Sequence, residues 1–212
     1  LYEATIKQLC SLQIQDVLVS DILDSAQPAE PMDPPRPLPQ QLLHQPFLLQ
    51  AHKSPCAPAV IATDGSTCEV MSFVELECKA RAVAVAVSAF LPSTGTDSVP
   101  VVAVLSSKWS GQVACVLGIL QAGCAYLPMD PKQLPRHRAE QVLLLSGAVA
   151  VLTTSAVLKA NDWLASLSIP VIDASSLVPI CERVDVPSRG RMCTELGYLI
   201  YTSGSTGVPK GV

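Results

Sequence analysis

Seven consecutive apolar residues, Val99–Leu105, constrain the fold of this chain more than any other segment. A strand that is hydrophobic at every position, instead of alternating, must be covered on both faces. The segments after it supply the cover. Ser110–Ala122 fits a helix ended by Gly123 at the C′ position, and Pro135–Ser146 fits another, ended by Gly147. Ala148–Leu152, Ile169–Ile172 and Gly197–Tyr201 read as further strands. Strands alternating with helices predict an α/β domain whose strands are largely parallel. No internal repeat is evident.

Upstream, Gln40–Lys53 reads as a helix, Ala59–Thr63 as a short strand, and Asp64-Gly65 as a turn. Ser72 to Phe90 has a helix start written into it, with Ser72 as N-cap and Glu75 three residues on, the capping-box pattern. Residues 3 to 24 carry apolar positions at helical spacing (Ile6, Leu9, Leu12), and Gln27–Pro39 then packs six prolines into thirteen residues. Proline at that density enforces an extended chain, so this stretch reads as a linker. A domain boundary near residue 40 follows, dividing the chain into 1–40 and 41–212.

Hydrophobic residues make up 49% of the 212 and charged residues 15%, enough to bury a sizeable core. A net charge of -4 without a basic run argues against a nucleic-acid groove or an anionic membrane surface as partner. Glu3, Lys7 and Asp16 interrupt any signal-peptide pattern. The longest apolar stretches, Ala82–Leu91 and Val113–Leu120, fall well short of the roughly 18 residues that span a bilayer. Eight cysteines include no C-x-x-C pair and mostly sit in apolar segments, which reads as reduced thiols in a cytoplasmic protein. The chain opens on Leu1 and closes at Val212 directly after a Gly-rich loop, and we read it as part of something longer.

That loop carries the chemistry. Tyr201-Thr202-Ser203-Gly204-Ser205-Thr206-Gly207-Val208-Pro209-Lys210-Gly211 follows an apolar strand. Gly204, Gly207 and Gly211 let the backbone turn tightly and bring N–H groups to an anion. The hydroxyls of Thr202, Ser203, Ser205 and Thr206 add donors for phosphate oxygens, and Lys210 adds a mobile positive charge. A solvent-exposed Ser/Gly tether shares this composition. The strongly apolar strand before the loop and the Pro209-Lys210-Gly211 punctuation after it count against a tether. A Walker A loop needs G-x-x-x-x-G-K-[ST]; here proline precedes Lys210 and Gly211 stands where the metal-binding hydroxyl should be. The dinucleotide fingerprint G-x-G-x-x-G fails on spacing.

Over the sixteen residues Leu196–Gly211 the sequence resembles the phosphate-loop signature of the adenylate-forming superfamily, which includes acyl-CoA synthetases, luciferases and the adenylation domains of nonribosomal peptide synthetases. Leu120-Gln121-Ala122-Gly123-Cys124-Ala125-Tyr126-Leu127-Pro128-Met129-Asp130-Pro131 is similar to the second core motif of the synthetase domains. Taken alone it would read as a helix end, a Gly stop and a turn at Pro128–Pro131. Met71-Ser72-Phe73-Val74-Glu75-Leu76 resembles their first core motif, with Phe73 in place of the usual Tyr. His44 to Ile61 looks like the entry to such a domain, and Val17–Leu23 resembles the segment that follows a condensation domain, without its usual Trp-Asn element. A short amphipathic helix of any origin explains Val17–Leu23 equally well.

The resemblance implies a fold and a reaction. The fold would be the N-terminal part of the large domain of adenylate-forming enzymes, a mostly parallel sheet with flanking helices, truncated. Such enzymes use ATP and Mg²⁺ to turn a carboxylic or amino acid into an acyl-AMP, which a thiol then captures. In a synthetase that thiol is phosphopantetheine on a partner carrier domain, and a condensation domain would be a further partner in the same polypeptide. Thr202, Ser203, Ser205, Thr206 and the glycines 204, 207 and 211 would line the β- and γ-phosphates, and Lys210 would act catalytically on the leaving pyrophosphate. The family places its Mg²⁺ ligand, its adenine and ribose contacts and its C-terminal lysine after this loop, so these residues alone are expected not to adenylate. The alternatives are an acyl-CoA synthetase-type ligase and a non-catalytic nucleotide-binding module. His44, His52 and His137 share no metal-ligand spacing. Arg136-His137-Arg138 reads as a solvated helix start, and Trp109 and Trp163 as packing residues.

Overall fold

The computed structural model describes residues 41–63, 68–91, 98–182, 184, 195–202 and 210–212. In chain order the elements are α1 (Gln45–Lys53), β1 (Pro58–Thr63), β2 (Cys68–Ser72), α2 (Phe73–Ser88), β3 (Val101–Leu105), α3 (Gln112–Gln121), β4 (Ala125–Met129), α4 (Arg136–Ser146), β5 (Ala150–Thr153), α5 (Ser155–Ala160), a 3₁₀ turn (Asp162–Ser166), β6 (Val171–Asp173), β7 (Tyr201–Thr202) and β8 (Lys210–Gly211). Gln41–Ala62 and Glu69–Val212 group into one unit, and the architecture here is that unit's. The helix expected at 3–24, the Pro-rich linker and the Asp64-Gly65 turn lie outside the described residues.

The apolar run is the middle of the structure. β3 pairs with β4 on one side and β5 on the other, and β6 continues beyond β5, in the order β4-β3-β5-β6 with every pair parallel. All five β3 residues are buried. Because side chains alternate across a strand, its two sets enter different cores. Val101, Ala103 and Leu105 join Ala125, Leu127, Met129 and Val151 against Ala139, Val142 and Leu143 of α4. Val102 and Val104 join Ala150 and Leu152 against Val83, Ala84 and Val87 of α2 and Cys115 and Ile119 of α3. Helices therefore cover both faces, as the unbroken apolar run demanded. Leu127 and Leu152 are fully buried, each worth about 1.5–3 kcal/mol of burial.

Local chemistry sets the boundaries. Ser72 Oγ accepts from Glu75 N (3.4 Å) while Ser72 N donates to the Glu75 carboxylate (2.8 Å), closing the capping box at the start of α2. Gly123 and Gly147 take φ values of 74° and 61°, the left-handed conformation that stops α3 and α4. α1 begins later than the sequence suggests, at Gln45. Pro46 belongs in a first helical turn, and Gln45 Oε1 accepts from Leu42 N (2.9 Å) ahead of it.

Three features depart from the sequence reading. β4 runs through Pro128 to Met129, and the turn starts only at Asp130, whose carbonyl accepts from Gln133 N and Leu134 N. Pro128 is exposed. Gly197–Tyr201 is not a full ladder strand: Tyr198 bridges Tyr126 in parallel, and the regular pairing, Tyr201–Thr202, is antiparallel to Lys210–Gly211. β2, α5 and the 3₁₀ turn carried no clear periodicity.

Candidate nucleotide-binding site

The loop of interest joins the two strands of a hairpin. Tyr201 faces Gly211 and Thr202 faces Lys210, and Ile200 and Val212 exchange hydrogen bonds of 3.0 and 2.9 Å behind them. A Cβ on Gly211 would stand 3.1 Å from Leu199 Cδ1 and 3.3 Å from Tyr201 Cζ, so those side chains would have to give by a few tenths of an ångström. Thr202 Oγ1 reaches the Lys210 carbonyl at 3.5 Å, the limit of a hydrogen bond. Thr202, Lys210 and Gly211 are exposed. Of the residues read from sequence as a phosphate cradle, the structure thus brings Thr202, Lys210 and Gly211 together. Ser203, Gly204, Ser205, Thr206 and Gly207 lie outside the described residues.

What fixes the hairpin is the segment entering it. Tyr126 N donates to Gly197 O (3.2 Å) and Leu199 N to Tyr126 O (3.0 Å), laying residues 197–199 parallel to β4. The rings of Tyr126 and Tyr198 pair at 5.7 Å between centroids. Leu199 and Tyr201 pack against the α4-side core, while Tyr198 and Ile200 face outward. Burial raises the Tyr201 hydroxyl above its ordinary pKa; burial and then Tyr198 do the same for Tyr126, so both stay neutral. A parallel approach beside β4 means that the loop leaves from the carboxyl end of the sheet, where open α/β sheets hold their ligands. The Tyr126–Tyr198 pair was missed by sequence reasoning. Its signal was the alternation of Leu199 and Tyr201 with Tyr198 and Ile200.

The remaining sequence candidates fall elsewhere. His52 and His137 are exposed, while His44 is partly buried, which lowers its pKa, beside a cavity of about 80 Å³. Arg136 Nε pairs with Glu140 at 2.9 Å. Trp109 and Trp163 pack against the two cores. Cys78, Cys115 and Cys124 are buried, whereas Cys56 and Cys181 are exposed. Among the described residues no three His, Cys, Asp or Glu side chains gather to hold a metal, and no helix is long and apolar enough to cross a membrane.

A hairpin that sets Lys210 opposite Thr202, entered along the edge of a parallel sheet covered by helices on both faces, defines an α/β domain. Residues 47–212 match the AMP-binding enzyme family, and the chain belongs to that family. It is 38% identical over 172 residues to phenyloxazoline synthase MbtB of Mycobacterium tuberculosis, an alignment covering 81% of this chain and 11% of that protein. The crystal structure of the nonribosomal peptide synthetase FmoA3 in its AMPPNP-bound form superposes with a TM-score of 0.64 at 30% identity, over 84% of this chain and 17% of that one. Fatty acid AMP ligase from Legionella pneumophila gives a TM-score of 0.70 at 27% identity, over 82% and 30% of the two chains. The fold is that of adenylate-forming enzymes, and the chain spans a minor part of each relative's length.

Proposed function

We propose that residues 41–212 are the front portion of an adenylation domain in a nonribosomal peptide synthetase, and residues 1–40 the segment that joins it to a preceding domain. The whole enzyme would activate an amino or other carboxylic acid. The acid's carboxylate attacks the α-phosphorus of ATP, forming acyl-AMP, and pyrophosphate leaves with the electron pair of the broken P–O bond. The phosphopantetheine thiol of a carrier domain then takes the acyl group. Such a reaction belongs in the cytoplasm, where ATP is supplied.

The observation that carries this reading is the hairpin, which sets Lys210 opposite Thr202 at the carboxyl end of the sheet. In that position the hydroxyls and glycine N–H groups of residues 202–207 would grip the β- and γ-phosphates, with Gly211 keeping the return strand close. The Lys210 ammonium would offset charge as it develops on the leaving pyrophosphate. Mg²⁺ would accompany the nucleotide, but no group of described residues is suited to ligate it, and no step here runs through it.

Lys210→Ala in the whole enzyme tests the assignment. A charge-assisted contact of about 1.5–3 kcal/mol predicts a fall of roughly 10- to 100-fold in substrate-dependent pyrophosphate–ATP exchange. An unchanged rate would remove Lys210 from the mechanism. The slightly higher TM-score of the fatty acid AMP ligase favours a second reading, a ligase acting on fatty acids. Comparing amino and fatty acids as substrates in the same exchange assay separates the two.

A further inference from the structure

Between β6 and the hairpin, residues 178–182 dock on α2 through backbone groups. Ile180 N donates to Cys78 O at 3.1 Å. Arg81 Nη1 donates to the carbonyls of Ile180 and Glu182, each at 2.9 Å, and its guanidinium is held in turn by Glu77. This docking sets Cys181 beside Cys78. Both line a cavity of about 360 Å³, together with Met71, Val74, Lys79 and Pro179. Cys78 is only 4% exposed, while Cys181 is open to solvent. Burial first, then the neighbouring Cys181, pushes the Cys78 thiol up to about 11. Cys115, by contrast, is sealed in the apolar core between α2, α3 and the sheet.

We propose that Cys78 and Cys181 are a redox-active dithiol that closes into a disulfide across this cavity, with a small-molecule disulfide as the oxidant, and so tethers residues 178–182 to α2. The order of events follows from exposure, since Cys181 is open to solvent and Cys78 is buried. The Cys181 thiolate attacks one sulfur of oxidised glutathione, forming a mixed disulfide and releasing one glutathione thiolate. Cys78, protonated until it meets a base, then loses its proton and attacks the Cys181 sulfur, releasing the second glutathione. Two protein thiols are oxidised and one glutathione disulfide is reduced; the two glutathione thiolates that leave take up the two protons the protein thiols give up, so no proton is released overall. The backbone contacts hold residues 178–182 against α2 beforehand, which keeps the two cysteines at one cavity.

The test is oxidation of the purified chain with oxidised glutathione, an acid quench, alkylation of remaining thiols and peptide mass mapping. The expected product joins the Cys78 and Cys181 peptides with the loss of two hydrogens, and no glutathione stays on the chain. Cys78→Ser should halt at glutathione on Cys181. Cys181→Ser, at an exposed position that leaves the core intact, should keep Cys78 alkylatable after denaturation. A wild-type chain that accumulates glutathione on Cys181 while Cys78 stays alkylatable would overturn the proposal, as would cross-links that join Cys181 to other cysteines instead.

Discussion

Gly118 of α3 lies close against α2, and replacing it with alanine tests the packing directly. A Cβ there would lie 2.5 Å from the Ala80 carbonyl oxygen, 2.6 Å from Val83 Cβ and 2.7 Å from Val83 Cγ1. Carbon atoms rest about 3.5–4.0 Å apart, so α2 and α3 must separate by roughly 1 Å. Two of the clashing atoms are backbone oxygen and Cβ, which no rotamer change can move. Two effects oppose each other. Alanine gains about 1 kcal/mol in helix propensity over glycine. Separating the helices costs about 1–3 kcal/mol of strain, and a gap of this width forfeits a quarter to a half of each contact along the seam. That seam includes Val83, Ala84 and Val87 against Cys115 and Ile119, all nearly inaccessible. Strain wins, and we expect a net loss of about 1–2 kcal/mol, which lowers Tm by roughly 2–8 °C for a domain of this size. Thermal unfolding followed by circular dichroism measures it. Gly147→Ala is the contrasting control: nothing lies within 4 Å of its added Cβ, but its φ is 61°, so its cost is conformational. Gly147→Asn should then recover most of the loss, because asparagine tolerates that conformation. Gly118→Ala melting at or above wild type would refute the packing argument.

Other substitutions probe the cap, the core and the loop. Glu75 is held below the usual carboxylate range by the hydrogen bond from the Ser72 hydroxyl first and its N–H second, against a small opposing effect of burial. A carboxyl depressed in the folded state stabilises above its unfolded pKa and loses that contribution as pH falls through the folded one. The Tm gap between wild type and Glu75→Gln should therefore be present at neutral pH and close in acid; a pH-independent gap would contradict the assignment. Leu127→Ala, fully buried on β4, should cost about 2–5 kcal/mol in denaturant unfolding. Tyr198→Ala removes a ring pair worth about 0.5–1.5 kcal/mol and should raise KM for ATP roughly 2- to 10-fold in the whole enzyme. An unaltered KM would show that the pair does not steady the loop.

The sequence made the sheet legible wherever burial was uniform. Val101–Leu105 announced a doubly covered strand, Ser72 and Glu75 announced the start of α2, and Gly123 and Gly147 announced the ends of α3 and α4, because each rests on local chemistry. β4 was hidden because Pro128 usually marks a break, and only the edge position of that strand makes the proline tolerable. α5 was hidden because six residues are too few to show a period. For the site, composition and spacing singled out Thr202, Lys210 and Gly211, but their mutual placement depends on hairpin register, which no local pattern encodes. The closeness of Tyr126 and Tyr198, and of Cys78 and Cys181, is a long-range consequence of topology.

Pro128 explains how the sheet hands its edge to the loop. In a parallel pair, alternate residues of a strand turn both backbone groups to the same neighbour. Ala125 N donates to Pro100 O and Met129 O accepts from Ser106 N, so residues 125, 127 and 129 face β3, whereas Tyr126 faces Gly197 and Leu199. Position 128 also faces that outer segment, and proline has no N–H to give it. The ladder started at Tyr126 therefore lacks its next rung, a bond to Leu199 O. On the same segment, Ile200 turns the other way and is taken up by Val212. A chain that runs beside β4 for one bridge is thus passed to an antiparallel partner, and the turn between them is the loop. Tyr126-Leu127-Pro128 and Tyr198-Leu199-Ile200-Tyr201, some seventy residues apart in sequence, are two halves of one device. The first anchors the incoming strand and then stops pairing with it, and the second carries it into the hairpin that sets Lys210 opposite Thr202.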